Sequence, residues 1–174
     1  AGIENLSSLR KGFISANSVG GMDKTENFFS DFITSEHKGR LHNVVNHECG
    51  SVTELVADAL DLKDYVTTIS TACSSSANAI FFAARLIRNN ILDVAVAGGT
   101  DSLTRFTLNG FNTLMIVDEK FCQPFDEHRR GLNLGEGAGY VVLVSEKIAA
   151  SLKNKPGIIL SCYCNANDAY HQTA

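Results

Sequence analysis

Residues 65–88 read YVTTISTACSSSANAIFFAARLIR. The first six are β-formers and the last twelve carry a helical pattern, so the hexapeptide Thr71-Ala72-Cys73-Ser74-Ser75-Ser76 is where a strand gives way to a helix. A cysteine there lies under the first helical turn. Free backbone N–H groups point toward it, and the positive end of the helix dipole favours an anion. Ala72, Ser74 and Ser75 are small and leave room for a substrate to approach. Two readings of Cys73 follow from these residues: an activated nucleophile, or a buried inert cysteine behaving as a small hydrophobe.

The flanking chain continues the alternation. Residues 11–17 (KGFISAN) read as a strand, followed by a turn at Ser18-Val19-Gly20-Gly21-Met22 in which glycine supplies positive φ. Residues 23–36 carry Phe28, Phe29, Phe32 and Ile33 at helical spacing, the pattern of a packed face. Ser51-Val52-Thr53-Glu54 has the form of a capping box. Val52, Leu55, Val56, Ala59 and Leu60 then mark the apolar face of a helix ending near Asp61. After the central helix, residues 91–97 (ILDVAVA) read as a fully buried strand that Gly98-Gly99 breaks. Residues 104–117 read as helix or loop-helix, 140–145 (YVVLVS) as a strand, 146–152 as a helix and 158–164 as a last strand, with a loop from 165 onward. Strands alternating with helices predict an α/β domain with a mostly parallel sheet.

Three motifs in order extend the reading. TACSSS (71–76) is followed by VAVAGGTD (94–101) and then by PFDEHRRGLNLGEGAGYVVLVSE (124–146); the chain closes with Asp168-Ala169-Tyr170-His171. This series resembles the β-ketoacyl-acyl-carrier-protein synthases, the condensing enzymes of fatty-acid and polyketide assembly, over nearly the whole chain. The resemblance implies a thiolase-like fold, of which residues 1–174 form a single partial domain, most of the N-terminal half. Family members are much longer, and their two catalytic histidines lie in the C-terminal half. The sequence is therefore read as an internal fragment.

The resemblance further implies that Cys73 accepts an acyl chain from a carrier-protein thioester and that malonyl-carrier-protein then condenses with it after decarboxylation. It places Phe111 beside the acyl pocket, where ordinary core packing is the competing reading. It places Asp168 and His171 near the entrance for the carrier's pantetheine arm, in a gating role. The phosphopantetheine rides on the acyl carrier protein, so no resident cofactor is implied. A homodimer, or a heterodimer with a related synthase subunit, is expected, with residues 65–70 near the two-fold axis. The alternatives are a thiolase-fold acyltransferase and a non-catalytic partner resembling a chain-length factor; such partners usually lack the nucleophile.

Composition narrows the classes. The 174 residues carry a formal net charge of −4, which gives no electrostatic footprint for nucleic acid. Arg129-Arg130 and Lys38-Gly39-Arg40 are the candidate basic patches for an acidic carrier; solvated surface is the competing reading for both and the favoured one for the second. No apolar run approaches the ~20 residues that span a membrane, and a cytoplasmic location is expected. The five cysteines form no C-x-x-C pair, which weakens zinc and redox-motif readings. His37, His42 and His47 recur every five residues, a period that suits neither one helical face nor a compact metal site. His128, among charges, reads as surface. Without further polypeptide or a partner, the central helix and one sheet face are expected to lie exposed.

Overall fold

A computed structural model describes residues 8–155 and 157–166. The elements in order are β1 (Lys11–Ala16), α1 (Met22–Phe32), a short 3-10 turn (Leu41–Asn43), α2 (Cys49–Ala59), β2 (Tyr65–Ile69), α3 (Ser75–Arg88), β3 (Val94–Asp101), α4 (Arg105–Thr113), β4 (Gly137–Val144) and α5 (Glu146–Ser151). The four strands form one sheet in the order β2-β1-β3-β4. β1 is parallel to both β2 and β3, and β4 closes the sheet antiparallel to β3. The mostly parallel α/β arrangement expected from the alternation is present.

Strand periodicity sends alternate residues to opposite faces. On one face Ile14 and Ala16 of β1 and Ala95 and Ala97 of β3 pack against Ala79, Ala83 and Leu86 of α3, with Leu92 completing the cluster. Alanines at the contact let the helix lie close to the sheet. Ile80, Phe81, Phe82 and Ile87 are half-buried around this stripe, so α3 is seated rather than bare, contrary to the exposure expected for it. On the other face Phe13 stacks on Tyr140 at 5.7 Å, and the Tyr140 hydroxyl lies 2.7 Å from Ser15 Oγ. The same face receives α2 through the hydroxyl pair Thr68 Oγ1 to Thr53 Oγ1, 2.7 Å.

The entries to three strands are tied together. Arg10, ahead of β1, makes a two-pronged ion pair with Asp93, ahead of β3: Nε donates to Oδ2 and Nη2 to Oδ1, both at 3.0 Å. Arg10 also donates to the Asn90 carbonyl. The Asp93 carboxyl is held down at about 2, first by the Arg10 side-chain bond and then by the Arg10 backbone N–H. The Lys11 N–H donates to Asp64 Oδ2 at 2.7 Å, fixing the start of β2.

Several sequence expectations are corrected. The capping box at residues 51–54 does not form: the N-cap of α2 is Glu48, three residues earlier, with no side-chain cap bond. The α2 face facing the sheet is Thr53 and Ala57, while Leu55 and Leu60 are 57% and 56% exposed. The hydroxyl pair with Thr68 turns the helix away from its apolar stripe. Gly98-Gly99 does not break β3, which runs on to Asp101. Gly98 pairs with Tyr140 and Gly99 with Gly139. A Cβ at Gly98 would overlap the Gly139 carbonyl and the Tyr140 Cα, so glycine here permits close strand approach and continues the ladder. β4 accordingly begins at Gly137, three residues ahead of the strand read over 140–145. Residues 158–164 form no strand; Ile158 and Ile159 are 90% and 85% exposed, and Cys162 and Cys164 lie on irregular backbone. That segment instead stacks Tyr163 on Phe81 at 5.3 Å.

Candidate active site at the carboxyl ends of three strands

In parallel α/β sheets ligands gather beyond the carboxyl ends of the strands. Here Asn17 and Ser18 follow β1, residues 70–74 follow β2, and Asp101 ends β3. Cys73 sits in the turn between β2 and α3, two residues ahead of the first helical residue, with its residue exposed. The turn is built by its own hydroxyls. Ser75 Oγ donates to the Ala72 carbonyl at 2.6 Å and accepts from the Thr71 N–H at 2.8 Å. Ser74 Oγ donates back to the Thr71 carbonyl at 2.8 Å and does not cap the helix. Asn78, one turn into α3, donates to Thr71 Oγ1 at 2.8 Å and to Ser74 Oγ at 3.2 Å, and accepts from Asn165 Nδ2 at 3.1 Å. Ala72 has φ +53°, a left-handed conformation that non-glycine residues rarely adopt. It precedes Cys73 directly and turns the backbone sharply there.

The turn after β1 faces this one. Gly20 takes φ +55° as its type allows. Its N–H donates to Asn17 Oδ1 at 3.0 Å, and Asn17 Nδ2 donates to the Cys49 carbonyl at 2.9 Å. Ser18 Oγ reaches the Ala72 carbonyl at 3.4 Å. Beside it lies an open groove of about 260 Å³, lined by residues including Asn17, Gly20, Asn46, Thr100 and Ser102. Ser102 Oγ is buried and has no hydrogen-bond partner among the described residues.

Phe111 is half-buried on α4, which packs against α1. Two carboxylates position that helix: Glu26 accepts from the Arg105 and Phe106 N–H groups at 3.0 and 2.7 Å, and Glu136 from the Leu103 N–H at 3.1 Å. Thr104 caps it by accepting from the Thr107 N–H at 3.0 Å. Asp168 and His171 lie outside the described residues. His37, His42 and His128 are exposed, while His47 Nδ1 lies 2.8 Å from Thr25 Oγ1. Arg129 donates to the Asp126 carbonyl, and Arg130 approaches Asp118 at 3.9 Å. Among the described residues no three His, Cys, Asp or Glu side chains group as metal ligands, and no helix is long and apolar enough to cross a membrane.

Sequence reasoning passed over three residues that shape this site: Ser18, Asn78 and Asp101. Asp101 was not legible in this role, because the sequence pattern ended the buried strand at residue 97 and put a break at Gly98-Gly99, whereas β3 runs on to Asp101. The other two gave no signal beyond being small and polar.

Arranged in this way, the sheet and its cysteine-bearing strand-to-helix turn define a thiolase-like α/β protein. The family profile described as "Beta-ketoacyl synthase, N-terminal domain" matches residues 2–149, and the chain belongs to that family. It is 31% identical over 172 residues to Nodulation protein E of Rhizobium meliloti, covering 95% of this chain and 42% of that one. It is 39% identical over 115 residues to a 3-oxoacyl-[acyl-carrier-protein] synthase 2 of Rhizobium meliloti (strain 1021), covering 62% of this chain and 27% of that protein. Among solved structures it resembles a ketosynthase in complex with its chain length factor from Xenorhabdus doucetiae. That match has a TM-score of 0.68 and 31% identity, over 79% of this chain and 35% of the other. The chain thus spans less than half the length of these relatives.

Proposed function

We propose that this chain supplies the nucleophilic half of a condensing enzyme that extends acyl chains held on a carrier protein. The observation that carries the reading is the exposed Cys73 in the β2–α3 turn, at the carboxyl end of a parallel strand. In the first step the Cys73 thiolate attacks the carbonyl carbon of an acyl thioester. The carrier's sulfur leaves as thiolate and takes up a proton, so the acyl group moves from one sulfur to another. The backbone N–H of Cys73 is a candidate donor to the tetrahedral oxyanion. In the second step a malonyl thioester loses CO₂, and its enolate carbon attacks the acyl-Cys73 carbonyl. That bond formation expels the Cys73 thiolate and leaves a β-ketoacyl thioester on the carrier. None of the five histidines present here is assigned to polarise the malonyl thioester.

The same reading gives Phe111 a place beside the bound acyl chain, and Asp168 and His171 a place at the entrance for the carrier's arm. It also proposes a cytoplasmic protein that pairs with a second copy or with a related synthase subunit through the β2 side of the sheet. β2 is an edge strand, and an edge strand offers unpaired backbone groups to a neighbour.

The test is acyl transfer in the full encoded polypeptide. Incubated with an octanoyl-carrier-protein thioester and digested, the protein is expected to carry the octanoyl group on the Cys73 peptide, and Cys73→Ala to carry none. Equal labelling of Cys73 and the other four cysteines, or no labelling, refutes the reading. Phe111→Ala is expected to shift the preferred acyl length upward, as measured by competition between thioesters of graded length. His171→Ala is expected to slow capture of the carrier-bound substrate while leaving transfer from a small thioester unchanged; equal rates with both substrates dispose of the gating role.

A further inference from the structure

We propose that Asp101 is a positioning residue for the Cys73 turn, acting through Ser18; this rests on the reading of Cys73 as the acyl acceptor. Asp101 is the last residue of β3. Its Oδ1 accepts two consecutive backbone N–H groups, Ser18 at 2.7 Å and Val19 at 3.3 Å. Amide bonds to a carboxylate are stronger than neutral ones, and two on one oxygen fix both the place and the orientation of the turn after β1. Held in this way, the Ser18 hydroxyl donates to the Ala72 carbonyl at 3.4 Å. The line runs from the end of β3, through the end of β1, to the residue preceding Cys73.

The Ala72 carbonyl is a meaningful place to hold. Ala72 has φ +53°, and a sparsely populated conformation persists only where its surroundings over-determine it. Two of the bonds to that carbonyl come from Ser75, on the helix that the turn itself starts: its N–H at 3.0 Å and its Oγ at 2.6 Å. The Ser18 bond comes from a different strand and refers the turn to the sheet. Among the described residues the other two hydrogen bonds to that carbonyl both come from α3. Small misplacement of a reacting atom costs rate steeply, on the order of a hundredfold per ångström in favourable cases.

The experiment uses the full encoded polypeptide with an octanoyl thioester of N-acetylcysteamine. Rates are normalised to the Cys73 thiol that can be titrated, and thermal midpoints are measured alongside. Asp101→Ala is expected to lower kcat of acyl transfer about tenfold to a hundredfold with KM nearly unchanged. Asp101→Asn keeps an acceptor oxygen and is expected to recover most of the loss. Ser18→Ala is expected to reproduce part of the Asp101→Ala defect, and the double variant to be no slower than Asp101→Ala alone, because the two act along one path. If Asp101→Ala does not fold, Ser18→Ala against wild type carries the test. Wild-type rates in Asp101→Ala and Ser18→Ala, or additive losses in the double variant, overturn the inference while leaving the acyl-acceptor reading intact. Failure of the wild type to take acyl on Cys73 overturns that reading and this inference together.

Discussion

Single residues on this scaffold divide into those that hold strands in register and those that shape the site. Asp93 belongs to the first group. Its folded carboxyl is held at about 2 against a usual 3.8, a depressed value. The stabilisation it brings is therefore fully present above about pH 4 and lost as pH falls through about 2. Asp93→Asn is expected to lower stability at neutral pH and to show a smaller fall between those limits; acid titration followed by circular dichroism compares the two. The pair is solvent-accessible, so the difference is expected to be small and to shrink further in high salt. Thr53 is buried, and among the described residues its hydroxyl is paired with Thr68 Oγ1, which donates to it. Thr68→Val leaves the Thr53 hydroxyl unpaired in the interior and is expected to cost about 1–3 kcal/mol in urea unfolding. Of these residues, Cys73 was legible from its place between a β pattern and a helical one. The Arg10–Asp93 pair was not, because its partners are 83 positions apart and no local pattern joins them.

At the scale of elements, the contact between β3 and β4 is the most demanding. The two strands pair over eight residues each, with Gly98 opposite Tyr140 and Gly99 opposite Gly139. Gly98→Ala places a methyl group against the β4 backbone and is expected to destabilise by about 1–3 kcal/mol or more. The signature to look for is faster amide exchange along β4 with β1–β2 protection retained. α3 makes a similar demand on its other side: Ala83 is fully buried against the sheet, so Ala83→Leu is expected to force the helix outward and lower the thermal midpoint. Sequence reading recovered where most elements lie but misjudged how some end. Paired glycines look like strand breaks in isolation, yet the β4 backbone comes so close to Gly98 that a side chain there would clash, and the pair continues a close-packed ladder. α2 shows the opposite failure. Its apolar stripe was correctly located, but the stripe does not face this sheet, because the Thr53–Thr68 hydroxyl pair sets the helix rotation.

For the whole molecule, the uneven distribution of apolar surface sets the expected behaviour. Phe121, Phe125, Met115, Ile158 and Ile159 are largely exposed, as are Val142 of β4 and Leu55 and Leu60 of α2. Surface of this kind favours association. Residues 1–174 expressed alone are expected to bind an apolar fluorescent dye strongly and to sediment as more than a monomer at micromolar concentration; a dye-silent monomer rules this out. The amino-acid sequence by itself determined the α/β alternation, the strand–cysteine–helix junction and the family. Each rests on patterns spanning a few to a few dozen neighbouring residues, where side-chain periodicity and turn chemistry act locally. Only the tertiary structure decided that α2 turns its small residues inward, that β3 runs through its glycines, and that Asp101 reaches the turn beside Ser18. Those outcomes depend on which strands become neighbours, and that is settled by packing across the whole sheet rather than within any one segment.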